Sequence, residues 1–223
     1  FFAELDERRR RRIDEAVTEA GLGDAEVVML NDRNPLSAIA AHLNEQGSVM
    51  CVVGSRDSHE PGGFGEGNPA HHLLHHSHVP VAMVAGNTPS LNGGVFVVGV
   101  EAIGEASPAL QLASKLAEAA HGSVHAVHAY ESLSEDEAER WWNIEADLAG
   151  AVAAPLRFFP TAGHPAQVVL EHAAAHEAAA ILIGTRGSGG FGGLILGRVP
   201  AQLLSHADRP LIVVPRRADN GTA

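Results

Sequence analysis

A single cysteine among 223 residues excludes a disulfide framework. Cys51 follows Met50 and precedes Val52 and Val53, an apolar stretch that reads as a buried strand, so it is expected as a small core residue. No apolar run approaches the length that spans a bilayer, and no secretory signal pattern is visible in the numbered sequence. A reducing, cytoplasmic setting without membrane contact is therefore the expectation. Basic residues are also scarce. There are 15 Lys and Arg against 27 Asp and Glu, for a net charge of −12. The deficit is even, since residues 1–90 carry 7 − 13 = −6 and residues 91–223 carry 8 − 14 = −6. A phosphate polymer would be repelled by both halves, which removes nucleic acid from the expected partners. No nucleophile–base–acid set can be assembled, so catalytic residues are expected to be none. What is plentiful is apolar material: 45% hydrophobic residues beside 19% charged ones supply a packed core.

An internal repeat organises the chain. The segment beginning at Gly54 (GSRDSHEPGGFGEGNPAHHLLHHSHVPVAMV) and the one beginning at Gly184 (GTRGSGGFGGLILGRVPAQLLSHADRPLIVV) align without a gap, at an offset of 184 − 54 = 130. Gly54/Gly184, Gly67/Gly197, Leu73/Leu203, His76/His206 and Pro80/Pro210 are among the matches. A period this long implies two domains, at 1–88 and 93–218, joined by a linker over 87–94.

In the second copy, apolar runs at 95–100, 124–130, 156–159, 180–183 and 211–214 read as buried strands. Helical spacing covers 106–120, 165–178 and 194–205, and Ser134 with Glu137 forms a capping box for a further helix to about 151. Strict β-α alternation predicts a parallel sheet with helices on both faces. The first copy offers helices at 7–20 and 35–46 and strands at 26–30, 49–53 and 81–84, with no counterpart of 95–100 or 124–130.

One segment carries chemistry. Gly184-Thr-Arg-Gly187, nine residues and then Gly197 follow a strand and lead into a helix. Glycines let backbone N–H groups approach a ligand, and a helix N-terminus adds its positive end, which together make a seat for phosphate. Pro200 lies in the first helical turn, where its missing N–H costs nothing. This Gly-x-x-Gly-x9-Gly pattern, in a chain continuing to HADRPLIVVP, resembles the universal stress protein family in its tandem form, fully over about 95–215 and partly over 7–85.

The resemblance implies two Rossmann-like modules of the adenine nucleotide alpha hydrolase type, each with a parallel five-stranded sheet of order 3-2-1-4-5, the first incomplete as numbered. It implies ATP bound at the carboxyl ends of the second sheet as a stress signal, hydrolysed slowly at most. The implied nucleotide-binding residues are Val100, Glu101, Ala129, Ile183, Gly184, Arg186, Gly187, Gly197, Arg198 and Val199. It further implies pairing through the last strands, either as a homodimer or between the two modules of one chain. Two positions depart from the family pattern: Arg198 stands where Ser or Thr is usual, and Glu101 where Asp is usual. In the first copy Asp57 replaces the second glycine and would repel phosphate. The alternative reading is an interaction module of the same fold without nucleotide. An enzyme of the wider group is a third, but neither Ser-Gly-Gly-x-Asp-Ser nor His-x-Gly-His occurs.

Order 3-2-1-4-5 would strand the third strand of the first copy from its fourth and fifth. About 40 further residues before Phe1 are therefore expected, with strand exchange from another chain or from the second module as the alternative.

Remaining clusters read plainly. His71/His75, His72/His76 and His172/His176 have the i, i+4 spacing of shared metal ligands, but no third ligand completes a set in the sequence. They are read as packed or solvated helix faces, with no metal expected. Arg8–Arg12 among acidic residues reads as a salt-bridged exposed helix. Of Trp141 and Trp142, one is expected on the core and one half exposed.

Overall fold

The structure, a computed structural model, describes residues 2–54, 69–84, 88–101, 107–131, 135–185 and 197–215. Among the described residues fourteen elements follow one another: α1 (Phe2–Glu19), α2 (Pro35–Glu45), β1 (Cys51–Gly54), α3 (Pro69–His76), β2 (Val81–Val84), β3 (Val95–Gly99), α4 (Pro108–Ala119), β4 (Ser123–Tyr130), α5 (Glu135–Gly150), β5 (Leu156–Ala162), α6 (Pro165–Ala175), β6 (Ala180–Gly184), α7 (Arg198–His206) and β7 (Leu211–Val214). β5 runs past the expected end at 159 and includes Pro160; it lies at the sheet edge, where a missing N–H is tolerated.

Two separate sheets were expected, and one is found. Its order is β1-β2-β7-β6-β3-β4-β5. All neighbours are parallel except β2 and β7, which pair antiparallel through Val81↔Val213, Ala82↔Ile212 and Met83↔Leu211. The repeat offset gives this joint its meaning, because 82 + 130 = 212. Ala82 and Ile212 are equivalent positions of the two copies, and they face each other. The register of β2 against β7 is therefore locally twofold about Ala82/Ile212.

Alternation of side chains makes the sheet a wall between two cores. Val81, Met83, Val97, Ile181, Ile183, Leu211 and Val213 face the layer of α2, α3, α6 and α7. Ala82, Phe96, Val98, Leu182, Ile212 and Val214 face α4 and α5. Cys51 is buried in the first of these layers, as expected, and burial pushes its thiol pKa up.

The expectation of a strand at 26–30 does not hold. These residues form no strand, and Val28, Met29 and Leu30 are exposed. A strand needs a neighbour for its backbone groups, and among the described residues none lies beside it. Strand exchange from the second copy does not fill the gap either: β2 takes the outer edge of β7, and β1 stands beyond it.

α4 begins at Ser107, whose side chain accepts from the Leu110 N–H, and Pro108 takes the first helical position. Within α4, buried Ser114 accepts hydrogen bonds from the N–H groups of Ala153 and Ala154, both at 3.1 Å, tying the helix to the turn that feeds β5. Ser114→Ala is expected to cost roughly 1–3 kcal/mol, because it strands the buried Ala154 N–H. The urea midpoint measures this, and an unchanged midpoint would mean that the two N–H groups find other acceptors.

Candidate functional site

The chain reverses its direction across the sheet between β3 and β6. From β3 it winds outward through β4 and β5; α6 then carries it back to β6 and on to β7. In open α/β sheets the crevice beyond the carboxyl ends at such a reversal is the ligand position. The residues there are Val100 and Glu101 after β3, Ala129 near the end of β4, and Ile183, Gly184 and Thr185 at the end of β6.

The Gly-rich segment leaves and returns at one point. The Thr185 N–H donates to the Val214 carbonyl at 3.1 Å, and the Gly197 N–H donates to the Thr185 carbonyl at 3.1 Å. Gly197 is the N-cap of α7, with extended backbone and no side-chain cap. The first N–H groups of a helix lack intrahelical acceptors, so α7 presents donors and the positive end of its dipole beside the carboxyl end of β6. Arg198 is exposed, Val199 half-buried and Pro200 buried. Arg186 and Gly187, expected to bind phosphate, lie outside the described residues.

A Cβ at Gly197 would sit 3.2 Å from the Thr185 carbonyl oxygen and 3.5 Å from Pro200 Cδ, a tight fit that a shift of a few tenths of an ångström relieves. Gly99, at the end of β3, marks a closer approach: a Cβ there would lie 2.6 Å from Ile183 Cδ1. That lets β3 and β6 converge where the crevice opens.

His128 is a residue that sequence reasoning missed. Its Nδ1 lies 3.1 Å from the Val100 carbonyl oxygen. A carbonyl only accepts, so Nδ1 carries the proton. The bond fixes the chain just after β3, alongside the Val100 N–H bond to Val127. Trp141 packs at 6.2 Å from the His128 ring and 4.9 Å from the Tyr130 ring, forming an aromatic border on the β4 side. Trp141 is half-buried against the core, as one tryptophan was expected to be; the Trp142 side chain lies outside the described part. His128 has no periodic partner in the sequence that would mark it.

Other expected clusters fall away from the crevice. His72 and His76 stack at 4.3 Å on α3, and His72 Nε2 approaches Ser37 Oγ at 3.4 Å. The Arg8–Arg12 run is exposed along α1.

The family model described as the universal stress protein family matches residues 95–215. A universal stress protein from Archaeoglobus fulgidus superposes with a TM-score of 0.69 at 18% identity, covering 96% of this chain and 78% of that one. A Pseudomonas aeruginosa protein described as a candidate universal stress protein gives 0.71 at 15% identity, covering 93% and 78%. These two likenesses show a shared fold.

Proposed function

This chain belongs to the universal stress protein family, and from that premise we propose that its second copy binds an adenine nucleotide, ATP, as a signal in a stress response. The observation that carries the reading is the closure of the Gly-rich segment at Thr185 and Gly197 beside the N-terminus of α7, at the reversal point of the sheet. Phosphates would lie against the backbone of Gly184, Arg186, Gly187 and Gly197, with Arg198 and Val199 at the start of α7. The adenosine would lie along Val100, Glu101, Ala129 and Ile183. We read the nucleotide as acting by occupancy, with slow hydrolysis at most, since the sequence offers no evident nucleophile–base–acid set.

Purified chain, denatured after extensive washing, is expected to release adenine nucleotide. Calorimetry then locates it. Gly197→Ala keeps the fold, since the neighbours of its Cβ need give only slightly, but it pushes phosphate off the backbone. ATP affinity should fall about tenfold or more while the unfolding midpoint holds; the tenfold corresponds to the roughly 1.5–3 kcal/mol of a hydrogen bond to a charged group. Arg198→Ala should weaken ATP more than adenosine if its guanidinium meets phosphate. Unchanged ATP affinity in Gly197→Ala would remove the phosphate-loop reading.

A second reading has its own support. Arg198 and Glu101, the two departures from the family pattern, are both exposed, and the two copies already pair across β2 and β7. An interaction module without nucleotide, with pairing inside the chain taking the place of a homodimer, fits those facts. The same washed protein would then release nothing.

A further inference from the structure

His125, near the start of β4, pairs with Val97 and Arg157 in the sheet, several residues before the crevice end of the strand. α6 starts at the carboxyl end of the sheet and runs back, so its last turn returns to the same opposite end. His172 lies in that turn and His176 is the C-cap. Their i, i+4 spacing puts both imidazoles on one face, with ring centroids 4.3 Å apart. The sheet adds the third ring: His125 is 5.2 Å from His172 and 4.9 Å from His176.

Among the described residues one group of three metal-ligating side chains comes together, and it is this one. One ligand nitrogen from each histidine lies within 4.8 Å of the other two. His125 Nδ1 and His172 Nε2 are 3.0 Å apart. Nitrogens at the corners of a tetrahedron around zinc, with Zn–N near 2.0–2.1 Å, are about 3.3 Å apart. One pair of nitrogens is already near that spacing, and a ligand nitrogen of the third ring lies within 4.8 Å.

The surroundings limit motion. Phe159 packs 4.6 Å from the His125 ring and 4.5 Å from the His172 ring, and Arg157 lies over the other part of that phenyl, 5.4 Å from its centroid. His125 is buried, His172 half-buried and His176 exposed. An ion can enter from the His176 side and keep one position for water. Burial, then His176, then Arg157 lower the His125 pKa; burial, then His176, then His125 lower that of His172 to about 4. The Arg157 charge opposes a cation, but it is exposed and screened by water.

We propose that His125, His172 and His176 form a three-imidazole site for a borderline divalent cation of the zinc class, clipping β4 to the end of α6 at the end of the sheet opposite the crevice. The site does not depend on nucleotide binding. Three imidazoles with an open fourth position suit zinc, cobalt and nickel.

The test uses the full chain, stripped with chelator and titrated with zinc sulfate by calorimetry at pH 7.5. One saturable ion per chain is expected, with a rise in melting temperature as zinc binds the folded state. His176→Ala removes an exposed ligand without opening the core. It should weaken binding by more than the roughly tenfold that losing an outer-shell partner costs. His76→Ala, which removes the exposed member of the pair on α3, should leave it unchanged. Cobalt(II) should give the visible absorption of a tetrahedral site in the parent chain and lose it in His176→Ala. No one-to-one binding, binding that survives His176→Ala, or binding lost in His76→Ala instead would each overturn the proposal.

Discussion

Gly122→Ala is expected to destabilise the chain more than any surface substitution, by roughly 1–3 kcal/mol or more, the range for forcing atoms into a filled space. A Cβ at Gly122 would land on the carbonyl oxygen of Gly94, and that oxygen is already engaged, accepting from the Ser123 N–H at 3.1 Å where β4 begins. The obstacle is backbone, so no rotamer change relieves it. Gly94 cannot retreat, because a Cβ on Gly94 would itself lie 2.5 Å from Ala179 Cβ. Two further bonds lock the crossing, from Gly93 N–H to the Ala120 carbonyl at 2.6 Å and from Gly122 N–H to the Ala117 carbonyl at 2.8 Å. Relief therefore means separating the turn after α4 from the entry to β3, the central strand of the second copy. Urea unfolding of Gly122→Ala should give a much lower midpoint. A neighbouring control, His121→Gly, should cost little, since His121 already holds a positive φ of 53° that glycine adopts freely. A Gly122→Ala midpoint equal to the parent's would mean that the crossing is loose.

The second large effect concerns the joint between copies. A chain trimmed to residues 91–215 keeps β3 to β7 and the helices between them, but it loses β2. β7 then becomes an edge strand with four apolar residues in a row, Leu211–Val214, all buried in the parent. An open apolar edge pairs with another chain. The parent geometry says how: equivalent residues meet at Ala82↔Ile212, so two β7 strands can meet antiparallel about Ile212. Light scattering should find the trimmed chain as a dimer or larger at concentrations where the full chain is a monomer. A monomeric trimmed chain would show that β7 needs no cover. A dimeric full chain would show that β2 does not satisfy the pairing surface.

Much of this architecture was legible in the residues themselves. The runs at 95–100, 180–183 and 211–214 are apolar on both faces, a pattern that only a strand covered on both sides requires, and each is a strand. Helical spacing over 106–120 and 165–178 depends on neighbours in sequence, and each range holds a helix, α4 and α6. The 130-residue repeat and the spaced glycines pointed to the family and to one end of one sheet.

Most contacts between distant segments were not legible, although the resemblance implied pairing through the last strands and left open whether it joins two chains or two modules. The apolar stretch at 26–30 has the composition of a strand, but composition does not supply a partner, and it forms no strand among the described residues. The pairing of β2 with β7 depends on which edges are open once both copies fold, a property of the assembled sheet. His128 reaches Val100 because adjacent parallel strands bring residues 28 apart into register. His172 and His176 announced themselves by helical spacing, whereas His125, 47 residues before His172, joins them only because α6 folds back over β4. The sequence by itself determined most of the elements and their order along the chain, since these rest on local hydrogen bonds and periodic burial. The tertiary structure alone decided that the two copies share one sheet and that three histidines converge, since both follow from the direction in which each element crosses its neighbours.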